Sequence, residues 1–128
     1  MKKSIFTITI ISLLGMMVVT ADDVWTAPYG ASHTQNPIPP VPDAIAAGKT
    51  IYTTNCASCH GATGIGDGPA GVSLQPHPHD LTKLPASETD GALFWKITEG
   101  KGPMPAWKTS LSDMERWEVV NYIRTLKK

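Results

Sequence analysis

The stretch Cys56-Ala57-Ser58-Cys59-His60 decides the reading of this chain, and it holds the only two cysteines among the 128 residues. Two thiols separated by two residues and followed at once by an imidazole have the spacing of covalent c-type haem attachment. On the first turns of a helix, residues three apart share a face. Both sulfurs can then reach the two vinyl groups of one porphyrin, while His60 turns its ring toward the iron. Three other chemistries use part of this pattern. A redox-active C-x-x-C sits beside a βαβ unit, and no alternation of strands and helices is visible here. A structural zinc site needs four ligands, and His33, His77 and His79 do not form a second short-spaced pair. A disulfide between residues three apart on a helix is sterically poor. Cys56 and Cys59 are therefore read as thioether-forming residues holding one haem c, with His60 as an axial iron ligand.

Working outward, the N-terminus has the order of an export leader. Met1-Lys2-Lys3 is basic, Ile5 to Val19 is almost wholly apolar, and Val19-Thr20-Ala21 supplies compact residues before Asp22-Asp23. This is the basic, apolar and cleavage-site sequence of a secretory signal peptide. The apolar run is short for a membrane span of ~20 residues. The expectation is a cleaved leader over 1–21 and a periplasmic product; an uncleaved leader acting as an anchor is the alternative. Acidic and basic residues balance at 11 each, and removal of Lys2 and Lys3 leaves the remainder slightly acidic. That balance excludes nucleic-acid binding by charge. What remains is one small domain, short of apolar core, to which a covalent haem would add.

Residues 22–42 carry Pro28, Pro37, Pro39, Pro40 and Pro42 with little hydrophobic periodicity. They read as an extended, proline-rich arm in which Trp25 and Tyr29 either pin the arm to the domain or dock a partner. The domain proper is expected over 43–128. Asp43 is a candidate N-cap for a helix bearing Ala44, Gly48, Tyr52 and Cys56. Ser112-Asp113-Met114-Glu115 predicts a capping box at the head of a helix whose apolar face includes Trp117, Val120, Ile123 and Leu126. Gly48 marks the place where these two helices cross, with Tyr52 and Tyr122 as core aromatics. A third helix is predicted from a Thr89 or Ser87 cap to Gly100, with Leu93, Phe94 and Ile97 inward. Between the motif and that helix, 61–85 is rich in glycine and proline and reads as loop. No segment alternates as a strand, so the class is all-α, three main helices around one haem.

The remaining iron ligand is expected from Gly102-Pro103-Met104-Pro105. A methionine flanked by two prolines is excluded from a helix interior, which stiffens its loop and holds its side chain in place. Met104 is the candidate axial ligand, while Met114, inside the last helix, reads as core filler.

Taken together, Cys56-x-x-Cys59-His60-Gly61, Gly66-Asp67-Gly68-Pro69, Gly100-x-Gly102-x-Met104-Pro105-Ala106-Trp107 and Val119-Val120-Asn121-Tyr122-Ile123 resemble a monohaem class I cytochrome c of exported bacterial type. The resemblance covers about residues 43–127. It implies a one-electron carrier rather than an enzyme, with His60 and Met104 both bound to iron and no site open to a substrate. It also implies a backbone carbonyl that orients His60, for which a proline of Pro76–Pro78 is the candidate. Redox partner proteins are implied as donor and acceptor. Lys49, Lys83, Lys96, Lys101 and Lys108 are candidates for a rim that steers an acidic partner, or are solvated surface lysines. The arm resembles extensions on family members tied to respiratory chains, so the alternative is a haem c subunit of a membrane oxidoreductase, held by its arm or an uncleaved leader.

Overall fold

The computed structural model describes residues 24–128, so the expected leader, 1–21, lies outside the described residues. Five α-helices and one short 3-10 turn follow in order: α1 (Tyr29–Ser32), α2 (Pro42–Asn55), α3 (Ala57–His60), η1 (Leu81–Lys83), α4 (Asp90–Glu99) and α5 (Asp113–Thr125). Among the described residues there is no strand, only an isolated bridge between Lys101 and Met104.

Helix α2 starts two residues earlier than its sequence suggests. Pro42 occupies the first helical position after Val41, which caps without a side-chain bond; proline suits that place because the missing N–H has no partner there anyway. Asp43 is consequently not the N-cap but a first-turn acid, where its charge suits the helix dipole. Ala44, Gly48 and Tyr52 form the buried stripe of α2, four residues apart as helical geometry requires. The stripe crosses α5 at Gly48. A Cβ there would stand 1.9 Å from the Glu118 carbonyl oxygen, so only glycine allows this approach. Tyr52 and Tyr122 meet beside it with ring centroids 5.1 Å apart.

Helix α5 opens on the expected box: the Glu115 amide donates to Ser112 Oγ, and the Ser112 amide donates to Glu115 Oε2 at 2.8 Å. Its inner face buries Trp117, Val119, Val120, Tyr122 and Ile123. Met114 points away, 59% exposed, because position 114 falls opposite the stripe set by 116, 119, 120 and 123. The core role expected for it is not observed. Helix α4 is capped by Thr89, whose Oγ1 accepts from the Ala92 amide, and ends at Gly100 with φ of 61°. Phe94 stacks on Trp117 at 3.9 Å, and the buried Arg116 guanidinium covers the Phe94 ring.

The arm is not simply extended. It forms α1 and lies along α4 and the middle of α5. Thr89 Oγ1 donates to the Ser32 carbonyl at 2.5 Å, and a Cβ at Gly91 would meet the Ala31 carbonyl at 2.1 Å. Asn36 donates to Asn121 Oδ1 at 2.8 Å and accepts from the Ile38 amide, while Asn121 donates to the Ile38 carbonyl at 3.0 Å. Trp25 packs on Trp95, with Lys96 Nζ 5.4 Å from its ring. Trp25 thus pins the arm, whereas Tyr29 is 80% exposed and stacks only on His33. Periodicity missed this because the arm is held by backbone carbonyls and amide side chains rather than by an apolar stripe.

Candidate haem and electron-transfer site

Cys56 terminates α2 and starts α3. Its amide still donates to the Tyr52 carbonyl at 2.8 Å, and its own carbonyl accepts from Cys59 and His60. The motif therefore turns through one short helix of four residues, not the opening of a long one. A helix this short leaves its carbonyls without internal partners, and the glycine-rich loop supplies them. Ala70 donates to the Ser58 carbonyl at 2.8 Å, Gly68 to Cys59 at 3.2 Å and Gly66 to His60 at 2.8 Å. Tyr52 Oη donates to the next carbonyl, that of Gly61, at 2.8 Å. The loop lies so close that a Cβ at Gly68 would be 2.4 Å from the Ser58 carbonyl oxygen. The glycines of 66–71 are thus not turns alone: they cover the exit of the attachment helix.

Cys56 and Cys59 are not joined in a disulfide, and each is half-buried. Burial, and then the neighbouring Cys59, push the Cys56 pKa up to about 12. No cationic side chain is among the causes of that shift, unlike the setting of a reactive redox cysteine. Nor do three His, Cys, Asp or Glu side chains converge as a metal cluster among the described residues. His60 is half-buried, and desolvation holds its pKa below the ordinary value; the backbone of His79 opposes this, and the His79 ring adds to it. His60 Nδ1 is buried, with no hydrogen bond formed at that atom. The backbone of His79, next to the Pro76–Pro78 stretch, is near enough to act on this imidazole.

Met104 sits in a tight turn: its amide donates to the Lys101 carbonyl at 2.9 Å, and the Lys101 amide donates back to Met104 at 3.0 Å. Downstream, the Trp107 amide donates to the Ile97 carbonyl at 3.1 Å, tying the loop to α4. Cys56, Leu84, Phe94, Met104 and Trp107 pack at the edge of the same core built on Tyr52, Leu93, Ile97 and Trp117. The structure thus brings the C-x-x-C-H turn and the Met-Pro loop to one apolar core. The donor set fits a haem: two uncommitted thiols on one turn, an imidazole drawn out of water, and a thioether on a braced loop. A groove of about 580 Å³ lies elsewhere, between residues 32–40 of the arm and Thr89, Asp90, Asn121 and Arg124; it contains none of these donors.

The lysines divide. Lys96 is largely buried against Glu88 at 2.6 Å, so it is a packing residue and not part of a steering rim. Lys83 pairs with Asp80 at 3.2 Å and Lys108 with Glu99 at 2.9 Å.

A family model described as "Cytochrome C oxidase, cbb3-type, subunit III" matches residues 43–123. The chain belongs to the cytochrome c family. Among curated relatives, this cytochrome is 34% identical over 84 residues to cytochrome c6 of Bumilleriopsis filiformis, covering 62% of the present chain and 87% of the relative. It is 33% identical over 101 residues to the cbb3-type cytochrome c oxidase subunit FixP of Sinorhizobium medicae, covering 79% of the chain but only 33% of FixP. The chain therefore spans most of the cytochrome c6 relative and about a third of FixP. A chain of the Kuenenia stuttgartiensis reducing HAO-like protein complex superposes with a TM-score of 0.64 at 31% identity, over 74% of this cytochrome and 50% of that chain. Cytochrome cL of Hyphomicrobium denitrificans, at 24% identity and a TM-score of 0.56 over 80% of this chain and 64% of that one, shares the fold. The family carries covalent haem c, and the helical fold expected from sequence is the family's fold.

Proposed function

We propose that this cytochrome is a one-electron carrier of the periplasm. In this reading Cys56 and Cys59 hold one haem c through thioethers, and His60 and Met104 are its axial ligands. The observation that carries it is the convergence of the C-x-x-C-H turn and the Pro-braced Met104 loop on one apolar core, in a chain with a single attachment motif. The bound haem supplies a one-electron ferric/ferrous couple. The protein's part is positioning and environment. The Gly66–Ala70 amides hold the attachment turn, the Lys101–Met104 turn presents the thioether, and Leu84, Phe94 and Trp107 add apolar surface at the same edge of the core. A soft thioether donor and an apolar surround both favour the reduced metal, raising the potential. The N-terminal leader pattern supports export, and redox proteins serve as donor and acceptor.

A second reading is favoured by one observation: the FixP match extends over 101 residues, beyond the span shared with cytochrome c6. In that reading the protein is a haem c subunit of a membrane oxidoreductase of the respiratory chain. No helix among the described residues is long and apolar enough to cross a membrane, so such attachment would fall to the leader or a partner. Fractionation of the native host separates the two. The carrier is expected in the soluble periplasmic extract, beginning at Asp22 and heavier than the polypeptide by one haem. Recovery only with membranes, beginning at Met1, makes it the subunit, and an intact mass equal to the bare polypeptide overturns both.

A further inference from the structure

Tyr52 lies one helical turn before Cys56, is 1% exposed, and sends its hydroxyl across the core to the Gly61 carbonyl at 2.8 Å. Gly61 directly follows His60 and reverses the chain there with φ of 81°. Its carbonyl also accepts from the Gly64 amide at 3.2 Å. The Gly64 backbone is itself wedged: a Cβ there would lie 2.7 Å from Leu126 Cδ1 and 3.7 Å from Tyr52 Oη. One side chain of α2 therefore reaches the peptide leaving the imidazole-bearing residue, beneath the end of α5. A phenylalanine would fill the same volume, and packing alone gives no reason for a hydroxyl in a site this dry. A buried hydroxyl needs its partner, and burial keeps this one protonated and so a donor.

We infer that Tyr52 is a positioning residue for His60: its hydrogen bond to Gly61 sets the exit of the attachment helix and with it the orientation of the imidazole toward the haem iron. The bond does for the backbone what a carbonyl partner on the ring's second nitrogen does for the imidazole itself. The role rests on the electron-carrier reading, because orientation matters only if His60 ligates iron.

The test compares Tyr52→Phe with Tyr122→Phe in the haem-loaded protein. Both remove a hydroxyl from the same aromatic pair; only the first removes the bond to Gly61. Two readouts are used: the electron paramagnetic resonance g values of the ferric protein, which report axial-ligand orientation, and amide hydrogen exchange of the reduced protein. Tyr52→Phe is expected to shift the g values and to speed exchange at Gly64 and Gly66 beyond any change in α2 and α5. Tyr122→Phe is expected to leave both as in the wild type. Wild-type g values and exchange in Tyr52→Phe, or equal shifts in both variants, overturn the role and leave a packing tyrosine. Should Tyr52→Phe not accumulate, 3-fluorotyrosine placed at position 52 keeps the shape and strengthens the donor; unchanged g values then overturn the role. A wild-type protein without covalent haem, seen first in the intact mass, sinks the carrier reading itself, and the role of Tyr52 falls with it.

Discussion

Replacing Gly48 with alanine sets two effects of opposite sign against each other. On an isolated helix the change favours α2 by ~1 kcal/mol. In this fold the new Cβ would stand 1.9 Å from the Glu118 carbonyl oxygen, 2.5 Å from its carbon and 3.1 Å from Tyr122 Cβ. The first two are backbone atoms of α5, so no rotamer change relieves them. Ordinary contact begins near 3.4 Å, which requires the two helices to part by roughly 1.5 Å. A radial gap of about 0.5–1 Å already forfeits a quarter to a half of the dispersion well. Tyr52, Val119 and Val120, each under 2% exposed, are the side chains that would lose contact. Overpacking of this kind costs ~3 kcal/mol or somewhat more, so the net loss is ~2–3 kcal/mol once the helix preference is subtracted. For a domain near this size that corresponds to a fall in Tm of about 15 °C. Urea unfolding of the haem-loaded protein, followed by tryptophan fluorescence and far-ultraviolet circular dichroism, measures it. Gly30→Ala is the control, since nothing lies within 4 Å of its Cβ, and its midpoint should move by no more than ~0.5 kcal/mol equivalent. A Gly48→Ala protein as stable as the wild type would mean that α2 and α5 do not cross at Gly48.

Met104→Ala is expected to abolish the weak near-infrared sulfur-to-iron band of the ferric protein, admit exogenous ligands and lower the potential, since the soft thioether is lost. Met114→Leu should leave all three unchanged, because that side chain is 59% exposed; loss of the band in Met114→Leu and its survival in Met104→Ala would reverse the assignment. Asn36→Ala removes the Asn121 partner at 2.8 Å and leaves a buried amide oxygen short of a donor, so chemical denaturation should show a loss of ~1–3 kcal/mol; no loss would mean the arm does not support the domain. The Thr82 hydroxyl holds the Asp80 carboxyl below its ordinary pKa, and the Ser112 amide does the same for Glu115. Their folded pKa values lie below the unfolded ones. The contribution is therefore complete above about pH 5.5 and lost as pH falls through the unfolded and then the depressed folded values. Asp80→Asn with Glu115→Gln should flatten that acid limb in urea midpoints measured against pH.

The family and its haem c were legible in the sequence because covalent attachment demands fixed residue types at fixed spacing: Cys56, Cys59 and His60 lie together in the chain, and the prolines around Met104 mark a candidate braced loop locally. Helices α4 and α5 were legible for the same reason, since the Thr89 cap, the Ser112–Glu115 box and an apolar stripe are short-range features. Tertiary structure alone decided what depends on partners far apart in sequence. The glycines of 66–71 proved to be a cap for the attachment turn because close approach of two backbones leaves no trace in composition. The arm became part of the domain through Ser32 with Thr89 and Asn36 with Asn121, bonds that span 57 and 85 residues. Tyr52 changed most. Its helical spacing marks it as core, and that is correct; that its hydroxyl ends on Gly61 follows only from the fold, because a hydrogen bond is set by where atoms meet in space, whereas burial is set by a periodicity written along the chain.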